Sequence, residues 1–312
     1  MRKILILNFL CFVIANNIIG QVVQVQPPDH IVIVVFENHS FNKIISVNEP
    51  KGGRPHYKNF IDSIAHGPHA VIFTNSHGNF HPSQPNYLCL FSGSNQGVTD
   101  DTKPCLPFET PNLGNALISG GYTYASYCEG LPQTGSDIER DGNYARKHNP
   151  TPNWQKSKLY PIPEECNKPF SEFKLISDYD SLPTVSFVVP DLYNDMHGAT
   201  KLKVVYGHFF PKRAIQHGAN WLSTNLSDYQ NWAVANNSLL IITFDESSNV
   251  GRKNKKNDIP TIFIGAMVKA GTDDEEITHY NVLKTILNFY GLPNNGMGHA
   301  ANALPIVNCW IH

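Results

Sequence analysis

Three short apolar runs, His30–Phe36, Val185–Pro190 and Leu239–Phe244, stand out from an otherwise mixed chain, and each breaks off into polar side chains. Continuous β-branched runs of this length predict strands buried on both faces of a parallel sheet. Weaker apolar runs at Ala70–Thr74, Tyr122–Tyr127 and Pro260–Gly265 predict further strands. Helical spacing of apolar positions predicts helices over Phe60–Ala65, Leu113–Ser119, Trp221–Ala235 and Tyr280–Tyr290, with a helical turn at Tyr87–Leu90. Gly120-Gly121 closes the second of these helices. Strands alternating with helices over most of the length predict an α/β fold, a mostly parallel central sheet with helices on both faces. Residues 128–182 form a long polar insertion, of a length more often functional than idle. No linker or repeat divides the chain, so a single domain is expected over residues 21–312.

In open α/β sheets ligands bind beyond the carboxyl ends of the strands. The first strand is followed there by Glu37-Asn38-His39-Ser40, the second by Asp191, Asn194, Asp195 and His197, the third by Asp245-Glu246. Glu37, Asn38, Asp245 and Glu246 offer oxygen donors suited to a hard or borderline divalent metal. The plainer alternative makes both clusters helix caps. Ser83, in His81-Pro-Ser-Gln-Pro-Asn-Tyr87, is a candidate nucleophile, although a turn serine is the ordinary reading of such a position. A serine hydroxyl needs a base or a metal to attack, and the chain has no Gly-x-Ser-x-Gly elbow. Asp195 with His197 can bind a metal, assist a phosphoryl group, or merely pair for stability. His279 has a weaker case on the same grounds.

Composition narrows the functional classes. A 41% hydrophobic share over 312 residues supports a substantial core, and a formal charge of −2 gives no reason to expect nucleic acid as a partner. The basic run Arg252–Lys256 reads as a solvated loop. Residues 1–20, with Arg2-Lys3 before the apolar Ile4–Ile14, resemble a secretory leader, so export is expected, to the exterior or the periplasm. No later stretch is long enough to span a bilayer. Five cysteines follow the leader and could form at most two disulfides.

Seven segments, taken in order, resemble the secreted acid phosphatase and phospholipase C-type phosphoesterase family, within the wider alkaline phosphatase superfamily. They are Phe36-Glu-Asn-His-Ser-Phe41, His81–Tyr87, Phe91-Ser-Gly-Ser94 with Gly97–Asp101, Tyr144-Ala-Arg-Lys-His-Asn-Pro150, Ser186–Pro190 with Asn194–His197, Asp245-Glu246, and His279–Leu283. The resemblance implies an alkaline-phosphatase-like fold and a serine nucleophile working beside a divalent metal. By it, Glu37, Asn38, Ser83, Asp245 and Glu246 hold one or two metal ions. Ser83, His81, His197 and His279 do the chemistry, and Asn86, Asp195 and His148 contact the substrate. Glu246 stands where the superfamily more often has a ligand histidine, which leaves the number of metals open. The compact length favours phosphomonoesterases over phospholipases C, the alternative. The expected partner is a small phosphorylated molecule or a phospholipid headgroup, phosphoinositides included.

Overall fold

The computed structural model describes residues 25–46, 59–198, 211–248 and 256–311. The leader at residues 1–20 and residues 252–255 of the basic run lie outside them. Strand β1 (His30–Phe36) lies between β5 (Val185–Val189) and β6 (Ser238–Phe244), parallel to both, with Ile33 opposite Phe187 and Ile241. The three runs that dominate the sequence pattern are therefore adjacent, and their carboxyl ends share one edge.

Five more strands complete the sheet: β2 (Ala70–Phe73), β3 (Tyr124–Cys128), β4 (Asn167–Pro169), β7 (Thr261–Gly265) and β8 (Gly271–Asp273). The order is β8-β2-β7-β6-β1-β5-β3-β4, and within this sheet only β7 runs against its neighbours. Because β7 is reversed, its beginning lies at the same edge as the other strands' ends. Strand β3 starts two residues later than its apolar pattern predicts, because the Tyr122 amide still bonds to Leu117 in the preceding helix end.

Side chains along a strand alternate between faces, and β1 feeds two cores. Ile31, Ile33 and Val35 pack with helices α2 (Ser83–Ser92), α3 (Leu113–Ser119) and α5 (His279–Phe289). Val32, Val34 and Phe36 pack with α1 (Phe60–Ala65) and α4 (Pro211–Ala235). Burying a side chain of this size stabilises the fold by about 1.5–3 kcal/mol, and Ile33→Ala would cost about 2–5 kcal/mol with its cavity.

Helix α4 begins ten residues before the amphipathic stretch expected from Trp221. Gly218 interrupts the apolar pattern there because the helix presses on the 194–196 loop, and a Cβ would lie 2.4 Å from Met196 Cγ. The buried stripe Ile215, Ala219, Leu222, Leu226, Tyr229 and Ala233 then follows helical spacing. The 128–182 insertion contributes edge strand β4 and carries His148 beneath the sheet's polar edge. All five cysteines after the leader are free thiols, so neither disulfide expected as an upper limit is formed.

Candidate active site

The three strand ends are sewn together before any side chain acts. The Asp245 amide donates to the Phe36 carbonyl at 2.9 Å, and the Glu37 amide to the Asp195 carbonyl at 2.8 Å. Asn38 and Met196 hold left-handed backbone, φ 56° and 79°, a strained geometry that surrounding contacts must enforce. In return the Asn38 amide reaches Asp245 Oδ1 at 2.8 Å.

Helix α2 starts at Ser83, four residues before the turn that the sequence pattern indicates. Ser83 and Tyr87 thus stand one turn apart on one face, and both reach Glu37. The Ser83 hydroxyl donates to Glu37 Oε2 at 2.8 Å, and the Tyr87 hydroxyl to Oε1 at 2.7 Å. Asn38 Nδ2 donates to the same Oε2 at 2.9 Å, and lies 3.5 Å from Ser83 Oγ and 2.7 Å from His197 Nδ1. His148, stacked on the Tyr87 ring at 5.0 Å, places Nε2 3.2 Å from Glu37 Oε1 and Nδ1 3.7 Å from Asp195 Oδ2.

Electrostatics single out the same group. Glu37, Asp195 and Asp245 are 0%, 1% and 1% exposed, so three carboxylates share a dry cluster. Burial pushes Asp195 and Asp245 well above the usual aspartate range, and the Glu37 charge adds to this. Burial also opposes the Glu37 anion, but His148, His197 and Lys147 outweigh it and hold Glu37 low. Burial lowers His148 to about 4 despite the pull of Glu37, leaving its imidazole neutral near pH 7. His197 behaves oppositely: burial disfavours its charge, but the Glu37 carboxylate, 3.7 Å from its Nδ1, raises it overall.

Asp195 Oδ2 and Asp245 Oδ2 are buried without a hydrogen-bond partner among the described residues. Orphaned anionic oxygens are costly unless a cation meets them. Glu37, His148 and Asp195 bring three ligand atoms within 4.8 Å of one another. Two carboxylates and a neutral imidazole fit a borderline divalent ion, and the bare Asp245 oxygen beside them fits a hard one.

The candidate residues divide by position. Glu37, Asn38, Ser83, Asp195, His148, His197 and Asp245 come together. His148 and Asp195, expected as substrate contacts, lie with Glu37 in a group whose ligand-type atoms could hold a metal ion. Glu246 turns to His81, with which it makes a close ion pair at the rim.

His279 and Asn86 do not face the hydroxyl. His279 is the first residue of α5, with Nε2 2.8 Å from the Phe244 carbonyl and Nδ1 3.1 Å from Asn79 Oδ1, so both ring nitrogens serve the framework. Asn86 accepts from the Asn79 and Phe80 amides and donates to the Phe80 and Pro82 carbonyls, which holds the 79–82 loop in place. Tyr87 and Lys147 were within reach of sequence reasoning, each adjoining a residue already singled out. Tyr87 becomes visible once α2 is drawn from Ser83, because position i+4 shares its face.

The reversed strand adds one more anchor. Just before β7, Asn257 Oδ1 accepts from the Ser247 amide at 2.7 Å, its Nδ2 donates to the Phe80 carbonyl at 3.0 Å, and its own carbonyl takes the Gly78 amide at 2.9 Å.

Solved structures share this fold. A solved structure from Vibrio parahaemolyticus in the alkaline phosphatase superfamily superposes with a TM-score of 0.60 at 14% identity, over 91% of this chain and 71% of that one. The periplasmic domain of EptC from Escherichia coli, solved in complex with Zn, superposes with a TM-score of 0.51 at 12% identity, over 92% and 93%. Fold and sequence together define an enzyme that hydrolyses phosphate esters on an alkaline-phosphatase-like sheet. The model of the Phosphoesterase family matches residues 65–293, and the chain belongs to that family. It is 41% identical over 281 residues to a phosphatidylinositol-3-phosphatase of Mycobacterium tuberculosis, covering 90% of this chain and 82% of that protein. It is 28% identical over 250 residues to an acid phosphatase of Aspergillus fumigatus, covering 76% of this chain but 52% of that protein, about half its length. No described helix is long and apolar enough to cross a membrane.

Proposed function

We propose that this phosphoesterase is a metal-dependent phosphomonoesterase that passes through a phosphoserine at Ser83. The observation that supports this most is the Ser83 hydroxyl itself, at the first residue of α2, bonded to buried Glu37 beside two orphaned carboxylate oxygens. A divalent cation held by Glu37, Asp195, His148 and Asp245 would supply positive charge that eases loss of the serine proton and offsets the phosphoryl oxygens.

The protein's own groups divide the remaining work. The start of α2 favours the anionic phosphoryl group, since helix N-termini attract negative charge. Ser83 Oγ gives up its proton to solvent and forms the new bond to phosphorus as the ester P–O bond breaks, and it takes a proton back when the phosphoserine is hydrolysed. His197 Nδ1 faces Asn38 and Glu37, which leaves Nε2 to protonate the departing alcohol oxygen. The charge on Glu37 favours the imidazolium needed for that step. Neutral His197 then takes a proton from the water that hydrolyses the phosphoserine, returning Ser83 and releasing phosphate. Tyr87 and Asn38 fix Glu37 throughout.

Phosphoinositides fall within the proposed substrates, supported by the 41% identity to the mycobacterial phosphatidylinositol-3-phosphatase. The leader-like residues 1–20 support action outside the cytoplasm. Ser83→Ala is expected to abolish hydrolysis of p-nitrophenyl phosphate with near-UV circular dichroism unchanged; most of the rate surviving would refute the role. Dialysis against a chelator should abolish turnover and divalent add-back restore it. A bis-p-nitrophenyl phosphate rate exceeding the monoester rate would favour the phospholipase C-type reading.

A further inference from the structure

A pocket of about 110 Å³ opens beside the site, walled by Gln84, the residue after Ser83, and by Lys147, the residue before His148. Consecutive Cα atoms lie about 3.8 Å apart, so two of its lining residues are the chain neighbours of Ser83 and His148. The pocket is strongly basic. Lys103, Arg140, Arg146 and Lys147 line it against only Asp101 and Glu139. Asp101 is already committed, since Oδ2 accepts from Lys147 Nζ at 2.7 Å and Oδ1 from the Gln84 amide at 3.1 Å. Lys103 and Arg140 form no ion pair with a described residue.

Arg146 is the decisive member. It is 2% exposed, and its Nε and Nη2 are buried with no hydrogen-bond partner among the described residues. Asp137 and Glu139 act on it only through their fields. A buried guanidinium with unmet donors is expensive unless an anion completes it, and its planar fork suits phosphate oxygens. The pocket is well below the roughly 300–1,000 Å³ of a site for a whole drug-sized ligand, so it suits one charged group of a larger molecule.

Resting on the phosphomonoesterase reading, we propose that this pocket receives a second phosphate of the substrate. The enzyme then selects doubly phosphorylated molecules over simple monoesters. The recognised chemistry is a tetrahedral oxyanion held by Arg146, Lys103 and Arg140, whether it is the diester of a lipid headgroup or a free phosphate on a soluble polyol.

The test compares kcat/KM of the metal-loaded enzyme on four substrates: p-nitrophenyl phosphate, inositol 3-phosphate, inositol 1,3-bisphosphate and short-chain phosphatidylinositol 3-phosphate. The variants are Arg146→Gln and, on the exposed side, the double substitution Lys103→Ala with Arg140→Ala. Removing one charge-assisted hydrogen bond corresponds to about tenfold or more. The ratio of two-phosphate to one-phosphate kcat/KM should therefore fall at least about tenfold in both variants, mostly through KM. A fall on inositol 1,3-bisphosphate and the lipid alike supports a pocket for either source. A fall confined to the lipid supports the headgroup diester as its occupant. An unchanged ratio, or an equal loss on all four substrates, overturns the proposal. The ratio is independent of which residue attacks phosphorus, so failure of the Ser83 reading would show separately, in Ser83→Ala.

Discussion

Asp245→Asn should make the metal-free protein more stable while disabling it, a pair of opposite effects that a merely structural aspartate would not give. Asp245 Oδ1 takes the Asn38 amide at 2.8 Å, whereas Oδ2 is buried with no hydrogen bond of normal geometry among the described residues, close to the Ser83 hydroxyl and sharing its surroundings with Glu37 and Glu246. Asparagine is nearly the same shape; it keeps the first bond, removes a negative charge and turns the bare oxygen into a donor. A buried polar atom left unpaired costs about 1–3 kcal/mol. In urea titrations with chelator present, the variant should therefore exceed the wild type by about that amount.

Adding a divalent ion at about a hundred times its Kd should stabilise the wild type by about 2.7 kcal/mol. The variant should gain less, so that the order of stabilities closes or reverses, and turnover should fall on the order of a hundredfold or more. The sign with pH is also fixed. Asp245 has a folded pKa raised above its ordinary 3.8, so the folded wild type binds more protons than the unfolded chain above that value. Its stability deficit is therefore greatest at high pH and shrinks as pH falls toward about 4. A chelated variant less stable than the wild type, with a full response to added metal, would refute the reasoning.

Tyr87→Phe keeps the stacking on His148 but removes the hydroxyl from Glu37 Oε1; it should cost about 1.5–3 kcal/mol in urea, the range for a bond to a charged group. His279→Ala should cost about 1–3 kcal/mol because the buried Phe244 carbonyl loses its donor. A His279→Ala protein of undiminished stability but raised KM would instead make His279 a substrate contact. Thiol titration of the native protein should label Cys105 first and Cys166 more slowly, while Cys89, Cys128 and Cys309 react only in denaturant. Burial raises Cys89 to about 12 and Cys166 to about 11, which keeps thiolate scarce at neutral pH. Rapid labelling of all five would contradict the packing described.

The parts of the fold that were legible in sequence are those governed by local pattern. His30–Phe36, Val185–Val189 and Ser238–Phe244 are doubly buried, so their composition alone marks them, and their polar ends mark the site. The start of α2 was not legible because Pro82, Ser83 and Pro85 read as turn residues. Proline is tolerated in the first turn, where no intrahelical donor is required. The direction of β7 was equally hidden, since an apolar strand carries no mark of its polarity. His279 and Asn86 look like chemistry in one dimension because they lie in motifs beside reactive groups. In the structure both bond to loop 79–82, and His279 bonds also to the end of β6. Ligand-type donors are hardest to sort by sequence, because Asp195 and His148 arrive from segments far apart in the chain and meet only in the folded cluster around Glu37.

The reversed direction of β7 makes its two ends unequal targets for change. At the end that begins the strand, one asparagine grips both the stretch after Asp245-Glu246 and the loop ahead of Ser83. At the other end, a side chain added to Gly265 would first meet the Ser238 carbonyl, Met267 and Leu239. Mutational drift at the first end can retune catalysis while the packed strands behind it stay intact. Drift at the second is felt as folding alone, so a single strand separates adaptation from architecture.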